Sequence, residues 1–155
     1  MFFTGTYTRV VDDKKRIVIP KPIRGQFGKP APRRLFLTPG SFQTLWLFTP
    51  EQLERFGERL LAERASRAEP EARDIGAYRR LYFSRAEPAD IDGQGRILIP
   101  DRLADHMGLG REVLMIGAFD HLELWDRQRW LDYIRLHAPQ FDAAAEGVLQ
   151  EERPR

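Results

Sequence analysis

Hydrophobic and polar positions over the first twenty residues follow a pattern that returns eighty positions later. Thr6 to Val11 and Ala86 to Ile91 each read as a strand. A polar turn follows in both places, then a short apolar run rich in β-branched residues, Arg16 to Ile19 or Arg96 to Ile99, stopped by Pro20 or Pro100. Strand, turn and run together predict a β-hairpin. The two prolines suit a first helical turn, where a missing N–H costs nothing. Ile23 to Phe27 and Leu103 to Met107 predict brief amphipathic helices, with Gly28 and Gly108 as their stops.

Two more strands are predicted in each half: Leu35 to Thr38 with Thr44 to Phe48, and Glu112 to Gly117 with His121 to Trp125. Thr49-Pro50-Glu51-Gln52 is a capping-box pattern, and Leu53, Phe56, Leu60 and Leu61 fall on one face of a helix expected to reach Ser66. After a break at Glu69-Pro70 a second helical stretch passes through Tyr78 and Leu81. In the other half Asp126 can cap a helix bearing Trp130, Leu131, Ile134 and Leu136, ending near Ala138-Pro139. Gln140 to Arg155 reads as a weak helix fraying into a polar tail.

The recurrence extends to residue identity. Phe3/Phe83, Asp12/Asp92, Arg16/Arg96, Ile17/Ile97, Ile19/Ile99 and Pro20/Pro100 are identical pairs. Phe42, Leu45, Leu47 and Phe48 line up in the same order with Phe119, Leu122, Leu124 and Trp125. Two copies are too few for a solenoid, so the chain reads as a pseudo-twofold duplication. Residues 1–80 form the first copy, 81–138 the second, and 139–155 a tail. Neither half has enough apolar sheet surface to stand alone. The expected fold is therefore mainly β with helical appendages, of α+β class, in which the hairpins of two tandem repeats interleave into a small barrel. Phe2, Phe3, Tyr82, Phe83, Trp46, Trp125 and Trp130 are expected in its core.

At 155 residues such a chain buries about 70% of its unfolded surface, enough for one shared core. It has no cysteine, which excludes disulfides and thiolate chemistry. The N-terminus has no basic run followed by an apolar core, and no stretch approaches the ~20 apolar residues of a membrane span, so a cytoplasmic protein without a membrane partner is expected. The net charge of +2 conceals a polarity. Residues 1–50 carry nine bases, including all four lysines, against Asp12 and Asp13, a balance of +7; residues 51–80 balance to zero; residues 81–155 carry fourteen acids against nine bases, a balance of −5. On charge alone, the first copy is the one suited to a polyanion.

The run LYFSRAEPADIDGQGRILIPDRL, followed by GLGREVLMIGAFDHLELWD, resembles the MraZ family, whose signature is the repeated Asp-x-x-x-Arg turn. The resemblance covers about residues 1–138. It implies the swapped-hairpin barrel also seen in AbrB-type regulators and some antitoxins. It further implies a nucleoid-associated bacterial regulator of the division and cell wall gene cluster, with double-stranded DNA as partner, forming a homo-oligomeric ring on repeated operator boxes. By residue it reaches Asp12, Arg16, Asp92 and Arg96, with Lys14 at the usual basic position and Gln94 in its place in the second copy. The family usually has glycine before the arginine, as at Gly95, where the first copy has Lys15.

These residue types suit DNA. An arginine on a rigid turn can donate two parallel bonds to guanine O6 and N7, worth about 1–3 kcal/mol of discrimination. Lys14, Lys15, Lys21 and Arg24 can add salt-sensitive phosphate contacts. The aspartate can bond turn amides or steer the guanidinium, or alternatively read cytosine directly. A plain exposed hairpin salt bridge is the competing account of the motif. Among other functions, an enzyme is disfavoured: His106, His121 and His137 are scattered, and neither a His-Glu-x-x-His motif nor a glycine-rich phosphate loop occurs. Asp12, Asp13 and Asp92 would have to converge to hold Mg²⁺ for a nuclease. No cofactor, metal or small-molecule substrate is expected. The acidic second half and the tail motivate the remaining alternative, an antitoxin-like or structural barrel that binds protein.

Overall fold

The computed structural model describes residues 1–145. In chain order the first copy comprises β1 (Thr6–Val10), β2 (Arg16–Val18), α1 (Lys21–Gln26), β3 (Arg34–Pro39), β4 (Leu45–Phe48) and α2 (Pro50–Ser66), and α3 (Glu71–Phe83) begins in it and crosses the boundary into the second. The second comprises β5 (Glu87–Asp90), β6 (Arg96–Leu98), α4 (Asp101–Met107), β7 (Glu112–Gly117), β8 (Leu122–Asp126) and α5 (Arg127–His137). Of the segment predicted as a weak helix fraying into a tail, Gln140 to Arg155, residues 141–145 are helical and 146–155 lie outside those described.

The strands interleave as duplication predicts. One antiparallel sheet has the order β1-β7-β8-β4-β3-β5, so the first strand of each copy pairs with the third strand of the other. At its centre Trp46 faces its own equivalent, Glu123, while Leu45 faces Leu124 and Leu47 faces Leu122, each the equivalent of the other leucine, as a pseudo-twofold axis through the Trp46–Glu123 pair requires. A second, two-stranded ribbon pairs β2 with β6, again across the axis.

Two details differ from the sequence reading. First, β1 and β2 do not zip into a hairpin. The turn between them passes the chain from the large sheet to the ribbon, because the inward row of β7 gives β1 a longer apolar partner than the three-residue β2 can. Second, the edge strands β1 and β5 do not pair with each other, so the sheet is not closed by hydrogen bonds into a barrel. The ribbon instead covers the open side: Ile17 and Ile97 are at most 1% exposed and lie in one core with Leu35, Leu37, Leu45, Leu47, Val113, Met115, Leu122 and Leu124.

Alternation of side chains explains the layering. The inward row of the sheet meets the ribbon and the buried Ile23, Leu103 and Met107 of the short helices. The outward row, Phe48, Leu114 and Trp125, lies on the face where α2, α3 and α5 pack. Thr49 and Gln52 close the predicted capping box, Gln52 N donating to Thr49 Oγ1 at 3.3 Å and Thr49 N to Gln52 Oε1 at 3.2 Å. Asp126 caps α5 through the Arg129 amide at 3.1 Å. Pro20 and Pro100 take the capping position just before α1 and α4 rather than the first turn, both with extended ψ. Gly108 stops α4 in the left-handed region, whereas α1 ends at the extended Phe27, one residue before Gly28. Phe3, Tyr82 and Trp125 are buried as expected, Phe83, Trp46 and Trp130 are half-buried, and Phe2 is exposed, stacked on Phe119.

Candidate nucleic-acid interface

The Asp-x-x-x-Arg segments fold identically because an aspartate opening a tight turn can accept bonds from the amides that follow it. Asp12 Oδ1 accepts from Lys14 N at 2.9 Å and Arg16 N at 2.8 Å, while Oδ2 accepts from Arg16 Nε at 2.7 Å. Asp92 repeats the set with Gln94 N at 2.8 Å, Arg96 N at 3.0 Å and Arg96 Nε at 2.7 Å. Each turn is closed by a backbone bond to the aspartate carbonyl, from Lys15 N at 3.0 Å or Gly95 N at 2.9 Å. The aspartate thus bonds amides and steers the guanidinium at once.

These bonds favour the carboxylate form. The Arg16 amide does most to hold the Asp12 carboxyl below its ordinary range, helped by the Arg16 guanidinium and the Lys14 amide. For Asp92 the Arg96 amide and guanidinium lead, and the pKa falls to about 2. Each arginine is fixed through Nε, and its two Nη nitrogens donate to no other described residue.

Register decides where those ends face. Ile17 lies opposite Ile97 and both point inward, so Arg16, Val18, Arg96 and Leu98 share the outward face of the ribbon. Arg16 stands opposite Leu98 and Val18 opposite Arg96, which separates the arginines by about 7–8 Å on the diagonal. Val18 is 41% and Leu98 55% exposed, so the face has two aliphatic positions between its two arginines. Sequence reading missed these aliphatics, although alternation about the inward Ile17 and Ile97 marks them.

Lys15 keeps the turn geometry despite replacing glycine. Its φ is 59°, beside 75° at Gly95, at a cost of about 1 kcal/mol for a residue with a Cβ. Its Nζ lies 2.6 Å from Asp101 Oδ1 of α4, which raises the Lys15 pKa. Gly95 has a different neighbour: a Cβ there would lie 2.7 Å from Arg24 Nη1 of α1. Ile19 N donates to Gly95 O at 2.8 Å and Ile99 N to Lys15 O at 2.9 Å, so α1 starts against the second turn and α4 against the first. Lys21 and Arg24 therefore stand by the second turn, while Lys14, exposed, stays with the first. Asp101 was also missed, since its partner lies 86 positions away in sequence.

The eight candidate residues, Asp12, Lys14, Lys15, Arg16, Lys21, Arg24, Asp92 and Arg96, are thus gathered around one ribbon. Asp12 and Asp92 are each engaged by their own arginine, and among the described residues no three His, Asp or Glu side chains are placed to hold a metal ion. Also among the described residues, no helix is long and apolar enough to cross a membrane.

Comparison with known proteins agrees with the duplication. A family model described as "MraZ protein, putative antitoxin-like" matches twice, over residues 2–77 and 82–151. The chain is 33% identical over 147 residues to the transcriptional regulator MraZ of Heliobacterium modesticaldum, covering 95% of this chain and 96% of that protein. The proteins of the same name from Moorella thermoacetica and Kocuria rhizophila are 32% and 34% identical over 147 residues, with the same coverage. With two matches to the family model and likeness along nearly its whole length to proteins of that name, the chain belongs to the MraZ family.

Proposed function

We propose that this protein is a sequence-specific DNA-binding transcriptional regulator that reads double-stranded DNA through the outward face of the β2–β6 ribbon. The observation that carries this reading is the pair of arginines on that face, each anchored through Nε to Asp12 or Asp92, with Nη nitrogens that donate to no other described residue. Fixing a guanidinium beforehand removes most of the rotamer entropy that binding would otherwise cost, and leaves a planar pair of donors suited to guanine O6 and N7. The carboxylates already accept three bonds each, which disfavours direct cytosine readout by aspartate.

Within this reading, Lys14, Lys21 and Arg24 contact phosphates. The similar proteins named as transcriptional regulators support regulation as the role. The family resemblance supports a cytoplasmic, nucleoid-associated regulator of the division and cell wall gene cluster. It acts as a homo-oligomeric ring on repeated boxes, needs no cofactor and performs no catalysis. Several linked copies on matching operator spacing would raise avidity by roughly 10²- to 10⁴-fold over one weak contact. Exposed apolar residues, Phe2 with Phe119 and Leu131, Ile134 and Leu136 along α5, are surfaces that ring contacts would cover.

The test is fluorescence anisotropy with a duplex from upstream of the division cluster and a shuffled control, at several salt concentrations. Specific binding whose log affinity falls linearly with log salt is expected, with Arg16→Ala and Arg96→Ala losing preference for the specific duplex more than overall affinity. Weak and equal binding to both duplexes would sink the reading and favour a protein-binding barrel.

A further inference from the structure

The fold exchanges the helices that flank the two turns, and the charge around each turn follows the helix rather than the copy. Beside the first turn stand Asp13 of its own copy and Asp101 and Asp105 of α4, with Lys15 among them. Asp13, Lys15 and Asp105 line one surface depression with Ala104. Eighty positions away the equivalents of Asp13, Asp101, Asp105 and Ala104 are Gly93, Lys21, Gly25 and Arg24. Asp13, Asp101 and Asp105 beside the first turn are thus glycine or lysine beside the second, and the alanine is arginine.

Arg24 occupies the space that the missing Cβ of Gly95 leaves. Its Nε is buried without a hydrogen-bond partner, and it forms no salt bridge within the described residues. Formal charges make the contrast plain. Asp12, Asp13, Asp101 and Asp105 against Lys14, Lys15, Arg16 and Arg111 balance to zero at the first turn, whereas Asp92 against Arg96, Lys21, Arg24 and Arg33 gives +3 at the second. Two of the bases in the first fifty residues, Lys21 and Arg24, are thus carried by the fold to the turn of the other copy.

We propose that the Asp92–Arg96 turn, completed by Arg24 from the first copy, is the stronger DNA contact of each subunit, with Arg24 as its phosphate-binding residue and Lys15 held away from the ligand by Asp101. The inference rests on the DNA-binding reading above. A lysine already neutralised by a carboxylate at 2.6 Å neutralises little further charge on the ligand, whereas an arginine without a carboxylate partner gains a phosphate and releases a counterion.

The test titrates a duplex from upstream of the division cluster with the full chain and with Arg24→Ala, Arg24→Lys, Lys15→Ala, Asp101→Asn and Lys15→Ala/Asp101→Asn, at several salt concentrations. Arg24→Ala is expected to weaken binding by roughly five- to tenfold and to lower the salt slope by about 0.9. Arg24→Lys should restore most of that loss, and Lys15→Ala should change affinity by less than about twofold. Asp101→Asn should tighten binding by freeing Lys15, and the gain should vanish in the double variant. Lys15→Ala weakening binding as much as Arg24→Ala would overturn the inference while leaving the DNA reading intact. Failure of Arg24→Lys to restore binding would also overturn it, since Arg24 would then be acting structurally. No salt-dependent binding by the unaltered protein would overturn the DNA reading itself, and the inference with it.

Discussion

In the first copy the outer sheet face lies under two helices; in the second it lies under one. Tyr82 of α3 is buried against Thr38 of β3, their oxygens 2.6 Å apart, and Phe56 of α2 stacks on Phe48 with ring centres 5.5 Å apart. At the equivalent place in the second copy, α5 buries no residue fully, and Phe42 from the first copy's hairpin turn covers Trp125 and Tyr133 instead. The inner elements have diverged far less: β2 pairs with β6, β4 with β8, and the two turns share the same bonds. The difference has a physical basis. Elements on the pseudo-twofold axis pack against their own equivalents, so a change in either copy disturbs both, whereas the outer helices have different neighbours and can diverge separately.

The comparison can be broken hardest in the outer layer. Phe48→Ala should cost about 3–5 kcal/mol, since the side chain is 1% exposed, while Arg135→Ala on α5, with a side chain 80% exposed, should stay within about 0.5 kcal/mol. Urea unfolding of both variants measures the contrast, and similar losses would mean that the two outer layers are energetically equal. Slightly smaller effects probe the axis. Ile17→Ala and Ile97→Ala should each cost about 2–5 kcal/mol and match within about 1 kcal/mol, because both side chains are fully buried in one core. A large inequality would show that the ribbon is not the shared element described.

The turns should respond unequally to exchange of their residues. Gly95→Lys adds a Cβ at positive φ against Arg24 and should cost about 1–3 kcal/mol. Lys15→Gly relieves about 1 kcal/mol of strain but loses the Asp101 bond and loosens the unfolded chain, leaving a net change near zero. Thermal melts of both variants decide this, and equal destabilisation would mean that Lys15 is not strained.

The smallest effects come from titration, and they also separate the copies. His121 is held by Asp120 at 2.7 Å and Glu123 at 3.1 Å, where the first copy has Thr44. Burial lowers its pKa, but the Glu123 and Asp120 bonds outweigh it and the net shift is upward. A folded pKa above the unfolded one stabilises fully below the unfolded value of about 6.5 and is lost as pH rises through the folded value. Stability should therefore decline as pH rises from about 6, and His121→Gln should remove that slope. Asp92 behaves oppositely. Its contribution is present above the ordinary value of 3.8 and is lost as pH falls through about 2, which a carboxyl NMR titration would follow.

Much of this was legible in the chain. The pattern of apolar residues marked all eight strands within one residue at each end, the capping box located α2, and repetition of Asp12, Arg16, Ile17 and Ile19 revealed both the duplication and the turn. The three-residue β2 and β6 were visible as apolar runs, but their partners were not, because a run that short does not encode which strand it will pair with. The expectation of closed hairpins failed for that reason.

Sequence alone determined the local elements, the repeated turn and the family, since all of these depend on residues a few positions apart or on the order of motifs. The tertiary structure alone decided which helix lies against which turn. By sequence Lys21 and Arg24 belong with Arg16, yet they stand beside Gly95; Lys15 belongs with them, yet is neutralised by Asp101. Strand exchange across the pseudo-twofold axis brings together residues some eighty positions apart, and electrostatic interaction depends on that final distance rather than on separation along the chain.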